Sequence, residues 1–283
     1  MIRDYHQLPM LLLHILIAFF VGGGFIALLS LLAERATKQT AGLILSLPST
    51  AAIGFFFIGL TASPESIAAF ALGYPSAGAA CYLGAAAYAY LALRIGTTSI
   101  RSMTWCFLSL VIVWFVFSLP MLLMPKMPIA LSLGIWTAYV LLSHYLLAVR
   151  PVVDTAPVEL HFTRGEIFFR SILAGTLIAS VVFLSKTLGP VWGGLMSAFP
   201  AAISSTLLIV HRSHPPRFLF HVLARMPAAA PTFLIYVFLA AWTFPRIGVI
   251  AGTILTYAVS AGFLVALGQM GKNAHESTRN PQL

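Results

Sequence analysis

The sequence predicts an all-α integral membrane protein of about nine transmembrane helices, built as two inverted four-helix repeats joined by a linking helix. Three observations predict it. The chain is 60% hydrophobic and only 8% charged, where a water-soluble domain carries about 25% charged residues. Apolar runs of about 20 residues, enough to cross ~30 Å of hydrocarbon at helical rise, follow one another with little loop between them. The prolines of the first half recur in the second at a constant spacing of 152 residues.

The runs lie near 10–33, 41–60, 74–93, 102–124, 127–149, 167–188, 191–211, 227–244 and 246–268. The first is too long for a signal-peptide core and has no small-x-small cleavage site after it, so it reads as a retained span. The second, "GLILSLPSTAAIGFFFIGL", carries Pro48 inside it, and the seventh, "GLMSAFPAAISSTLLIV", carries Pro200. The third and eighth have amphipathic lead-ins, "SPESIAAFALGY" and "PPRFLFHVLARM", which read as interfacial half-helices or extensions of the spans. None of the runs has the short alternating pattern of barrel strands. The first repeat takes residues 1–100 and 101–126, the linking helix and its loop 127–166, the second repeat 167–270, and a polar tail 271–283.

At the 152-residue spacing Pro48 meets Pro200, Pro64 meets Pro216 and Pro75 meets Pro227. Gly23 meets Gly175, Gly42-Leu43 meets Gly194-Leu195, and Arg94-Ile95-Gly96 meets Arg246-Ile247-Gly248, with no gap. Shared apolar composition explains matching leucines but not matching prolines. Corresponding spans are five apart, an odd number, so the copies have opposite orientation in the bilayer. Charge points the same way. With the N-terminus outside, cytoplasmic loops hold twelve basic residues, among them Arg35, Lys38, Arg94, Arg150, Arg164, Arg170 and Arg212; the outer side holds Arg3, Lys126, Lys186 and Arg246. This is the positive-inside bias. The C-terminus is then cytoplasmic, and compact loops without a disulfide pattern suit a prokaryotic inner membrane.

Proline removes a backbone donor and clashes with the carbonyl four residues earlier, so it breaks or kinks a helix. In a bilayer the freed groups are tolerated only where protein or a water-filled cavity covers them. Two breaks at symmetric positions of inverted copies can meet at the pseudo-two-fold axis and aim two helix N-termini at one chamber. The candidate substrate site is Ser46, Pro48, Ser49 and Thr50 from one copy with Ser197, Pro200, Ser204, Ser205 and Thr206 from the other. The bland alternative is a pair of packing kinks with hydroxyls at helix contacts.

All seven acidic residues avoid the middle of the predicted spans. That argues against a carboxylate-driven cation carrier, and a chamber of N-termini and hydroxyls suits an anion or a neutral polar solute. Glu34 and Lys186 occupy equivalent repeat positions and are candidate gating charges, or simple interface markers. His14 and His144 are the histidines read as lying well inside spans, as packing residues rather than proton relays. Arg212, Arg217 and Arg225 form the densest basic cluster, placed to meet anionic lipid headgroups or to collect an anionic solute. Cys81 and Cys106 make neither a disulfide framework nor a metal site. The "HESTR" stretch at 275 lacks the second histidine of a zinc-protease motif. No nucleophile elbow or phosphate-binding loop is present, so neither an enzyme nor a cofactor or metal is expected. The formal charge of +9 belongs to cytoplasmic loops rather than to a nucleic-acid surface.

The "GLILSLPSTAAIGFFFIG" segment, with a Ser-Pro following, resembles the Gly…Leu-Pro run of small GlpM-type bacterial membrane proteins, whose single short unit ends in a similar proline-bearing helix. That resemblance implies a duplicated unit. The plan is also similar to that of the bile-acid/auxin-carrier superfamily, whose inverted repeats use broken, crossing helices near the substrate, although those units typically have five helices and this one has four.

The resulting expectation is a secondary transporter or facilitator of a small anionic or neutral solute, working by alternating access. The alternatives are a flippase or scramblase for an anionic lipid, headgroups meeting the arginine cluster, and a non-transporting subunit of a larger membrane complex. The partners expected are membrane lipids, the solute and a second copy of the chain, with no nucleic acid.

Overall fold

A computed structural model describes residues 7–35, 47–151, 163–224 and 226–279. Among these residues the chain is helical throughout and has no strand. The first helices are α1 (Gln7–Arg35), α2 (Ser49–Thr61), α3 (Tyr74–Ile95) and α4 (Ile100–Leu123). Then come α5 (Ile129–His144), which ends in a π turn at Tyr145–Val149, α6 (Arg164–Thr187), α7 (Pro190–Ser197) and α8 (Ala201–Ser213). The last are α9 (Phe218–Leu223), α10 (Ala230–Ile247) and α11 (Val249–Arg279).

Local chemistry sets the boundaries. Thr163 and Glu166 form a reciprocal capping box at the start of α6, and Ser99 Oγ accepts from the Ser102 N–H at the start of α4. Pro190 opens α7, where its missing N–H is one of the orphans of a helix start. α3 ends at Gly96, whose φ of +69° gives the left-handed cap that L side chains avoid.

Among the described residues eight stretches of helix are long and apolar enough to cross a membrane: Pro9–Leu32, Tyr74–Ile95, Ile100–Leu123, Ile129–Val149, Arg164–Thr187, Pro190–Ser213, Phe218–Ile247 and Val249–Leu267. With their large lipid-facing apolar surface they make an all-α, multi-pass membrane protein. The expected span at 41–60 corresponds to the shorter apolar helix α2; residues 36–46 lie outside the described residues. Both lead-ins form separate short elements, a 3-10 turn at Pro64–Ala69 and, in the second half, α9 followed by a 3-10 turn at Met226–Ala229. α11 continues as helix through the first part of the polar tail, to Arg279.

The two halves stop their helices at matching places. α2 and α8 span 49–61 and 201–213, and α3 and α10 end at 95 and 247. Each pair differs by 152.

Helix α3, rich in alanine and glycine, is the most buried of the long helices and packs on α4, α5 and α10. Small residues let backbones approach closely where lipid offers no hydrophobic drive between helices: a Cβ on Gly84 would sit 2.8 Å from the Leu110 carbonyl oxygen of α4. Beside α3 a core of Phe55, Phe70, Tyr74, Tyr236 and Phe244 ties α2, the Pro64–Ala69 turn and α10 together. The rings of Phe55 and Tyr74 meet edge to face at 4.8 Å.

Among the described residues helices α1 and α6 make an extensive contact, and it is reciprocal. A Cβ on Gly23 would lie 2.7 Å from the Ser171 carbonyl oxygen, and a Cβ on Gly175 would lie 2.6 Å from that of Phe19. Gly23 and Gly175 are 152 apart, as are Phe19 and Ser171. A contact in which i meets j while the counterpart of j meets the counterpart of i is what a two-fold axis produces.

Candidate functional site

Pro48 and Pro200 have nearly the same backbone. Pro48 sits at φ −74°, ψ 52° and Pro200 at φ −76°, ψ 54°. Each is the centre of an inverse γ-turn. The Ser49 N–H donates to the Leu47 carbonyl at 2.7 Å, and the Ala201 N–H to the Phe199 carbonyl at 2.8 Å. Each proline carbonyl then starts a helix, accepting from Ala52 N–H or Ser204 N–H at 2.8 Å. Neither helix start has a side-chain cap, so the N–H groups of its first turn point ahead of the helix without one.

The second break is a true interruption. Residues 198–200 are not helical, between α7 and α8, and about ten residues of the 24-residue span Pro190–Ser213 precede the turn. At 1.5 Å per residue that places it near mid-membrane. Buried backbone opened there must find partners, and it does. Phe199 N–H donates to the Met196 carbonyl at 3.0 Å, and the Cys81 thiol of α3 lies 3.0 Å from the Ala198 carbonyl, which a continuous helix would have bonded to residue 202. Ser197 donates its single proton to the Gly194 carbonyl at 2.7 Å, so Tyr74 donates to Ser197 Oγ at 3.0 Å.

Helix α2 brings the first break to the second. A Cβ on Gly54 would fall 2.4 Å from Ser197 Cβ, so α2 lies directly on the end of α7. Beside this contact a small recess is lined by Thr50 of α2, Ala201, Ala202 and Ser205 of α8, Arg170 and Ala174 of α6, and Ile26 of α1. In this conformation it has room for a water-sized occupant. Thr50 and Ala202 are both two residues beyond their prolines, so the first turns of both interrupted segments face the same space.

Arg170 was counted among the loop arginines; the structure corrects that. Its side chain is 4% exposed, on the buried stripe Ile167, Ala174, Leu177, Ile178 and Val181 of α6. One guanidinium N–H donates to Thr206 Oγ1 at 2.8 Å, and Thr206 in turn donates to the Ala202 carbonyl at 2.8 Å. The guanidinium thus sits against the N-terminal half of α8. The phase of the stripe carried the signal: residue 170 is four before Ala174 and seven before Leu177. His211 was likewise not among the histidines placed inside spans. It is fully buried, with Nε2 3.1 Å from the Thr97 carbonyl and Nδ1 3.0 Å from Tyr88 Oη. A carbonyl only accepts, so Nε2 carries the proton and Nδ1 accepts from the tyrosine. That pair anchors the end of α8 to α3 and the loop after it. By contrast His14 is half-buried and His144 exposed.

Of the candidate site residues, Thr50 and Ser205 line the recess and Thr206 reaches it through Arg170. Pro48 and Ser49 are buried at the first break. Ser204 turns its hydroxyl to the Ala201 carbonyl, and Ser197 is engaged in the α2–α7 contact. Ser46 and Arg225 lie outside the described residues, as does the side chain of Glu34. Lys186 is exposed at the end of α6, and Arg212 and Arg217 are exposed after α8. Among the described residues no group of histidine, cysteine and acidic side chains is placed to hold a metal ion.

These features define a multi-pass helical membrane protein with an interrupted, buried polar centre. Comparison of the chain with family models, with curated proteins and with solved structures finds no match.

Proposed function

We propose that the protein is a secondary transporter or facilitator of a small anionic or neutral solute, alternating access between two inverted four-helix copies, with the solute held between the paired broken helices. One observation carries this reading: the first turns after Pro48 and Pro200 line the same recess. Interrupted backbone near mid-membrane is the device by which many such carriers build a solute site. The shared helix boundaries and the reciprocal contact of Gly23 and Gly175 support the two-copy plan. The size of the recess fits a state closed around its centre, which opens to each side in turn as one copy rocks on the other. The bias of basic residues to one side of the predicted spans places the N-terminus outside and the C-terminus in the cytoplasm, in a prokaryotic inner membrane. Arg212 and Arg217, exposed at the cytoplasmic end of α8, are left to meet lipid headgroups.

The test is solute uptake in proteoliposomes, with a panel of small organic and inorganic anions and their neutral analogues. Pro48→Ala combined with Pro200→Ala restores the missing N–H groups; in a folded variant it is expected to lower uptake at least tenfold. Unchanged uptake by that variant would remove the broken helices from the mechanism.

A further inference from the structure

Resting on the site proposed above, the geometry points to a narrower substrate class: we infer that Arg170 is the anion-binding residue of the recess, and that the solute is a small monovalent oxyanion of the carboxylate or nitrate type. The recess is lined by two hydroxyl residues, Thr50 and Ser205, three alanines, one isoleucine and Arg170, so its lining includes one guanidinium. Arg170 donates to Thr206 Oγ1, and a guanidinium has five N–H donors in a planar fork, so an arginine already engaged in the protein can also turn a donor to a ligand. That fork matches the two oxygens of a planar oxyanion, a geometry a lysine ammonium does not offer. The hydroxyls and the first-turn N–H groups of α2 and α8, both thirteen-residue helices, add donors and a field of the same sign.

Two readouts on the purified, full-length protein separate this inference from the transport reading. Thermal unfolding in detergent is followed with sodium formate, sodium nitrate and the neutral isostere formamide. Formate flux and formamide flux are then measured in proteoliposomes of defined phospholipid. Stabilisation by formate and nitrate but not formamide, with formate flux at least tenfold above that of formamide, is expected. Arg170→Gln should abolish the stabilisation and lower formate flux at least tenfold. Arg170→Lys should retain the preference for anions with weaker stabilisation. Should Arg170→Gln fail to fold, the wild-type comparison of formate with formamide and Thr50→Val with reduced formate stabilisation decide the matter. Anion stabilisation without flux supports the binding inference while overturning transport. Formamide flux equal to or above formate flux, no stabilisation by either anion, or an Arg170→Gln protein that binds and moves formate as wild type overturns the anion inference.

Discussion

At Pro48 and Pro200 the ring fixes φ and the missing N–H forbids a continuous ladder, so the chain closes the same γ-turn twice and begins a fresh helix each time. The side chains around the second break are there to satisfy what the turn opens. Cys81→Ala removes the thiol facing the Ala198 carbonyl, and Tyr74→Phe removes the donor to Ser197. Hydrogen bonds between membrane helices average about 0.6 kcal/mol, so each change is expected to lower stability by about that amount, read from unfolding titrations in detergent or bicelles; a loss of several kcal/mol would mean that the break depends on one partner alone. The prolines were legible in the sequence because a proline acts on the backbone wherever it stands. Arg170 was not, because an arginine near the end of an apolar run looks the same whether it turns to the headgroups or to the core. Only the phase of its helix decides, and Ala174, Leu177 and Val181 supply that phase. His211 escaped notice for the same reason, at the end of α8.

Between elements, close approach depends on glycines. Gly23 and Gly175 each present bare backbone to a carbonyl of the facing helix, so a side chain at either forces α1 and α6 apart. Gly23→Leu and Gly175→Leu should each destabilise by about 1–3 kcal/mol, the usual penalty for overpacking. If the two copies rock on this crossing, the two substitutions should also slow solute flux to similar extents. The measurement is unfolding and proteoliposome uptake on both variants, and a large effect at one position with none at the other would contradict a symmetric crossing. Gly54→Val should be at least as severe, since the added carbon falls 2.4 Å from Ser197 Cβ with the Ser197 Cα behind it at 3.4 Å. The elements themselves were legible from hydropathy and spacing. Packing partners were not, because an apolar lipid-facing surface and an apolar helix contact have the same composition; the pairings of α1 with α6 and α2 with α7 come only from coordinates.

For the whole molecule, the number of crossings sets the topology. Among the described residues eight stretches are long enough to span; if the segment containing α2 also crosses, the count is odd and the termini lie on opposite faces. Impermeant labelling of single cysteines added at each end is expected to reach the N-terminus from outside and the C-terminus only after permeabilisation. Labelling of both ends from the same side would exclude the inverted plan. The proposed transport, however, rests on both interrupted helices facing one chamber, and a reversible tether across it tests that most directly. Thr50→Cys and Ala202→Cys are combined, and formate flux is measured in proteoliposomes before and after bridging with a short bifunctional thiol reagent and again after reduction. Efficient bridging within one chain, loss of flux on bridging and its return on reduction are predicted. A pair that cannot be bridged, or a bridged protein that carries formate as before, would contradict it.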